Sequence, residues 1–164
     1  MNKIFTGVLA ILLLLSSCST VKKEGPHATG YPEKAAAYTI YEVNIRQHTP
    51  EGTFNAFAKD LPRLKDLGID MLWIMPIHPI GVLNRKEPLG SYYSVKNYKE
   101  VNPAFGTDED FANLVKAAHN LGMDIILDWV PNHSAYDNPW ITEHPDFYVK
   151  DKDGNIAHEA DWTD

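Results

Sequence analysis

Asp128, Asn132 and His133 fall within six residues at the end of an apolar run, Met123-Asp124-Ile125-Ile126-Leu127. An acid, an amide and an imidazole are groups that hydrogen-bond, ligate cations and move protons. The run before them is β-branched and almost continuously apolar, as in a strand covered on both faces. Pro131 prevents the strand from continuing. An Asp beside such a strand is costly unless something pairs with it. A polar trio where a parallel strand ends is the usual place for an α/β active site.

The elements that must position this trio follow from hydrophobic period. Residues 38–45 alternate with strand propensity. Residues 53–67 place Phe54, Phe57, Leu61, Leu64 and Leu67 on one helical face, and Gly68 ends the helix. Pro62 lies inside that span and predicts a kink or two helical pieces. Residues 69–77 form a second buried strand. Thr107 caps a helix whose first turn is acidic and whose stripe is Phe111, Leu114, Val115, Ala118 and Leu121. Gly122 ends it before the strand leading to Asp128.

Twice, then, the chain reads helix, Leu-Gly, one residue, buried strand: Leu67-Gly68-Ile69-Asp70 and Leu121-Gly122-Met123-Asp124. This repetition marks an α/β protein with a parallel sheet, either open and doubly wound or closed as a (β/α)8 TIM barrel. No Gly-x-Gly-x-x-Gly follows the first strand, which weakens a dinucleotide-binding reading. Long, aromatic-rich loops after the strands favour the barrel.

The hexapeptide Asp128-Trp129-Val130-Pro131-Asn132-His133 resembles the Asp-x-x-x-Asn-His signature closing the third barrel strand of the α-amylase superfamily, glycoside hydrolase family 13. Flanking stretches resemble the same family in the same order: Ile40-Tyr41-Glu42, residues 68–77, residues 90–98, and Asn102-Pro103-Ala104-Phe105-Gly106-Thr107. The resemblance spans residues 38–164 and implies the first three strands of a TIM barrel, ending in the long loop after the third. It implies a retaining glycosidase acting on starch or maltodextrins through an oxocarbenium-like transition state. His133 is then expected to hydrogen-bond sugar hydroxyls, and Asp128 to be a buried acid paired with an arginine from a later strand. Tyr93, five residues before Tyr98, is expected beneath the sugar ring, with Tyr92 as the alternative. Asn132 is expected either to ligate a possible structural calcium or to fix its loop by a backbone hydrogen bond. No other cofactor is implied.

Other residues read more plainly. Trp73 and Trp129 are expected in the core or lining the barrel, and His78 at the pocket edge or satisfied within its loop. His144, Asp146, Asp151, Asp153 and His158 fit no compact ligand set. Asp151-Lys152-Asp153-Gly154-Asn155 lacks the acid that ends a calcium loop, so Asp153-Gly154 reads as a hairpin turn.

The start of the chain suggests where the protein works. Lys3 precedes an apolar stretch over residues 4–15, and Leu15-Ser16-Ser17-Cys18 follows. This is a secretory leader too short to span a bilayer, and it resembles a bacterial lipoprotein signal with Cys18 as the lipidated residue. Residues 1–18 are thus the leader, 19–37 a flexible tether, 38–133 the partial barrel and 134–164 the long loop, similar to domain B of the family. With one cysteine no intrachain disulfide forms. Composition is that of a soluble globular chain, 44% hydrophobic and 23% charged. A net charge of −7 without a basic stripe argues against nucleic acid as a partner. The expected partners are an α-glucan or maltooligosaccharide and, through Cys18, a membrane.

In the family, the nucleophile, the acid/base and their companions lie on later strands, and a full barrel takes about 250 residues. The chain therefore reads as the N-terminal part of a longer enzyme, marginally stable alone because it leaves strand edges unpaired. A non-catalytic glucan-binding lipoprotein with the same barrel is the alternative, and an unrelated parallel α/β domain a third.

Overall fold

Three short parallel strands, β1 (Ile40–Val43), β2 (Met71–Ile74) and β3 (Asp124–Leu127), lie side by side in sequence order. They belong to a computed structural model that describes residues 33–157. The leader, Cys18, most of the tether, His158 and the chain end lie outside the described residues. The chain divides into two compact units, 1–36 and 37–164, and the strands belong to the second.

The register places Tyr41, Leu72 and Ile125 in one row and Val43, Ile74 and Leu127 two rows on. Because successive side chains alternate, these rows share a face. That face packs on the helices: Val43, Leu72 and Ile74 are buried with Phe54, Phe57, Leu61, Leu64, Leu114 and Ala118. Each fully buried large aliphatic or aromatic side chain contributes roughly 1.5–3 kcal/mol. The opposite face is bare. Ile40 and Glu42 are exposed on it, with Trp73 at 38% and Ile126 at 40%. Sequential strand order with helices on one face is the arrangement of the first three strands of a (β/α)8 barrel, whose inner face is the uncovered one.

The helices form where the residues cap them. Helix α1 (Ile45–His48) follows β1 directly. The predicted 53–67 helix is two pieces, α2 (Phe54–Ala58) and α3 (Leu61–Asp66). Pro62 sits in the first turn of α3, where its missing N–H has no partner to lose. Thr53 Oγ1 accepts the Ala56 N–H at 3.2 Å and starts α2. A capping box between Thr107 and Asp110 starts α4 (Asp108–Asn120), and Asn55 Nδ2 donates to Asp110 Oδ1 at 2.6 Å, tying α2 to α4. After each of α3 and α4 the chain turns through a glycine with positive φ, Gly68 at 90° and Gly122 at 69°. A short helix α5 (Trp140–Glu143) lies in the loop after β3.

Two expectations need correcting. The strands are four residues long, shorter than their apolar runs, and Ile45 is buried inside α1 instead of extending β1. Leu67 is 64% exposed, because it is the C-cap and leaves the buried stripe as the chain turns into Gly68. Among the described residues no helix is long and apolar enough to cross a membrane.

One ionic cluster closes the helical side. Arg63 donates to both oxygens of Asp60 at 2.7 and 2.6 Å, and His48 Nε2 lies 2.8 Å from Asp60 Oδ2. The Arg63 hydrogen bond, and then that of His48, lower the Asp60 carboxyl to about 2. A depressed folded-state value means the stabilisation is present above the unfolded value of about 4 and is lost as pH falls to about 2. Asp60→Asn is expected to cost about 1 kcal/mol at neutral pH, allowing for solvent screening, and to flatten that acid limb in denaturant melts. An acid limb as steep as in wild type would show that Asp60 does not carry it.

Candidate functional site

Asn44, Met75 and Asp128 directly follow the three strands, so the barrel's C-terminal rim is set by sequence parity. Asp128 shares the parity of Ile126 and therefore faces away from the helices. Its N–H donates to the Ile74 carbonyl at 2.8 Å, continuing the ladder past the strand end. Its Oδ2 accepts a hydrogen bond from the Tyr93 hydroxyl at 2.8 Å. Burial, followed by the hydrogen bond and negative charge of Asp128, pushes the Tyr93 phenol up to about 12. Glu42 on the bare face adds to this shift.

The loop bearing Tyr93 is fixed from several sides. Ile80 and Val95 pair antiparallel, with Gly81 donating to Ser94 O and Lys96 to Pro79 O, both at 2.8 Å. Arg46 on α1 donates to Leu89 O at 3.3 Å and Gly90 O at 3.4 Å. Its guanidinium also lies 4.2 Å from the centroid of the Tyr92 ring, a cation–π contact. Tyr92 in turn meets Tyr93 edge-on.

The segment after β3 is held by Tyr98. Its hydroxyl donates to His133 O at 2.7 Å and Val130 O at 3.1 Å. Its ring stacks on Trp140 and meets His78 edge-on. His78 Nδ1 lies 2.8 Å from Glu100 O, so this histidine is satisfied within its loop. His133 Nδ1 faces Asn132 Oδ1. A carboxamide oxygen only accepts, so this contact places the Asn132 side chain as an acceptor beside the ring. His133 lines a cleft of about 240 Å³ together with Tyr98, Trp129, Trp140, Phe147 and Tyr148.

The structure thus joins Tyr93 to Asp128 and Asn132 to His133. Trp129 is 65% exposed on the cleft wall, which takes it out of the core. Asn132 brings one amide oxygen, already facing His133, and among the described residues no group of three or more His, Cys, Asp or Glu side chains could hold a metal ion. The acidic stretch further on is a hairpin: Asp151 Oδ1 accepts from the N–H groups of Asp153 and Asn155, both at 2.9 Å, and Lys150 pairs with Ile156. The bracing roles of Arg46 and of Asp137, described below, carry no signal in local spacing.

The sequence profile described as the catalytic domain of alpha amylase matches residues 25–162. The chain belongs to the α-amylase family. Family members with solved structures share this arrangement. An α-amylase from Lactobacillus plantarum superposes with a TM-score of 0.75 at 45% identity, over 77% of this chain and 30% of that one. A noncanonic maltogenic α-amylase from Thermotoga neapolitana gives 0.69 at 43% identity, over 72% and 29%. Maltase A2 of Drosophila melanogaster is 34% identical over 162 residues, 93% of this chain and 26% of the maltase. The chain spans under a third of each of these family members.

The environment of Tyr93 is directly measurable. Its phenol is held above the ordinary value of about 10, so the neutral donor form persists well into the alkaline range. A spectrophotometric titration of wild type minus Tyr93→Phe is expected to isolate one ionisation near 12. A difference curve centred near 10 would mean that Asp128 and burial do not act on this phenol.

Proposed function

We propose that this chain carries the sugar-binding part of a retaining glycoside hydrolase site for α-glucans such as starch or maltodextrins. The observation that carries the reading is the Tyr93–Asp128 hydrogen bond at the strand end, five residues from His133. The phenol, anchored by its hydroxyl, offers its ring face to the C–H face of a glucosyl unit. His133 hydrogen-bonds sugar hydroxyls through its imidazole. Asp128 braces the geometry. The carboxylates that break the glycosidic bond belong, on this reading, to later barrel strands. The matched α-amylases and the maltase support α-glucans as the substrate class.

A non-catalytic glucan-binding protein is the second reading. Among the described residues the positions directly after the three strands offer one carboxylate, Asp128, and it is engaged by Tyr93. Expressed from its complete reading frame, the protein is expected to hydrolyse maltoheptaose. His133→Ala should lower kcat/KM by about tenfold to a hundredfold, the scale of one lost transition-state hydrogen bond. Binding without turnover would support the second reading, and wild-type kinetics in His133→Ala would remove this histidine from the site.

We also propose export and anchoring as a lipoprotein, with diacylglycerol on Cys18. The leader, the small residues before Cys18 and the polar tether support this. Cys18→Ser is expected to move the protein from the membrane fraction to the soluble one; unchanged partitioning would disprove lipidation there.

A further inference from the structure

Asp137 lies four residues past His133 and reaches back to the loop that carries Tyr93. Its Oδ2 accepts the Val82 N–H at 3.0 Å and lies 3.5 Å from the Lys96 ammonium. Those two residues stand on either side of the Ile80–Val95 pair. Neutral contacts flank it: Ala135 N–H donates to Val95 O at 2.9 Å, and Asn138 Nδ2 donates to the same carbonyl at 3.2 Å. Ala135 and Asn138 are both buried. Burial raises the Asp137 carboxyl, but the N–H groups of Val82, of Asp137 itself and of Leu83, together with the Lys96 charge, outweigh it and the net shift is downward. A charge-assisted bond of this kind is about twice as strong as a neutral one.

The fit around Asp137 is close. A Cβ on Gly81 would stand 2.4 Å from Ala135 Cβ and 2.8 Å from Asp137 Oδ1. Glycine is needed here for approach, since only a bare Cα lets the two segments meet. Among the described residues no donor reaches Oδ1, so the clamp acts through Oδ2 alone.

We propose that Asp137 is a positioning residue that clamps the Tyr93 loop to the His133 segment and thereby fixes the two sugar-binding side chains relative to each other. The inference rests on the function proposed above. Asp137 itself does not touch the sugar. Its effect arises because small displacements of positioned groups lower the rate strongly.

The test uses the protein from its complete reading frame, with maltoheptaose as substrate. Asp137→Ala is expected to lower kcat about tenfold while KM stays within about twofold, since ground-state binding is spread over more contacts than the strained ring of the transition state. Asp137→Asn keeps an acceptor for the Val82 N–H and should recover most of the loss. Gly81→Ala should reproduce the Asp137→Ala kinetics with the charge intact. Combined with His133→Ala, Asp137→Ala should add less than about twofold, because the two act through one contact. Wild-type kcat in Asp137→Ala, or full multiplication of the two effects, overturns the clamp. If Asp137→Ala does not fold, Lys96→Gln carries the test: kcat should fall about threefold, and wild-type kcat overturns the proposal. Should His133→Ala and Tyr93→Phe themselves leave kcat/KM at wild type, it is the functional reading that fails, and the clamp falls with it.

Discussion

A carboxylate at the end of a parallel strand has left the ladder but is only partly in water, so it must find a donor. Asp128 finds one in the Tyr93 hydroxyl, 35 residues earlier in the chain. Closing a loop of that length costs conformational entropy, and one hydrogen bond, worth about 1 kcal/mol net, does not offset it. The loop is therefore held at several independent points. Arg46 takes the carbonyls of Leu89 and Gly90, the Ile80–Val95 pair stiffens its base, and Tyr98 anchors its far end on the backbone after β3. Each support comes from a rigid element or from the next loop. Two side chains distant in sequence thus meet on a platform that neither element could build alone.

The same parity that turns Asp128 away from the helices also exposes Trp73 and Ile126. Leaving such residues partly wet is unfavourable at about 25 cal/mol per Å² of apolar surface. In a closed barrel this face is the interior, packed by the side chains of alternate strands. The contrast between faces is therefore informative. Val43, Leu72 and Ile74 pack into the core from one face, with Leu127 on edge strand β3 left 41% exposed, whereas Asp128 lies on the parity of the open face.

Much of this was legible in the sequence because it is local. The Thr107–Asp110 capping box, the break at Pro62 and the glycines closing α3 and α4 are dictated within a few residues, and each forms as expected. The parallel α/β class followed from the repeated helix-to-strand junction. The misses share a cause. Strand ends were placed too far out because apolar runs do not record where hydrogen bonding stops, so Ile45 was assigned to β1. Trp129 lies outside the core because periodicity ceases to predict direction once the chain leaves the sheet. Arg46 and Asp137 left no trace because their partners lie tens of residues away. The family resemblance singles out Tyr93, Asp128 and His133, but the Tyr93–Asp128 bond required the fold.

The electrostatics of the open face bear on the proposed chemistry. Glu42 and Asp128 both raise the Tyr93 phenol, so the surroundings of this ring are electronegative. A glycosyl group passing through an oxocarbenium-like state gains positive charge at the ring oxygen and anomeric carbon. Fixed anions near that point favour the transition state over the neutral ground state, and they need no reorganisation when they are already held by hydrogen bonds. The net charge of −7 cannot supply this effect at a distance, because salt screens exposed charges beyond about 8 Å. Only carboxylates held at the site contribute. On the proposed reading, Asp128 acts on that developing charge from a position that the Tyr93 hydroxyl fixes.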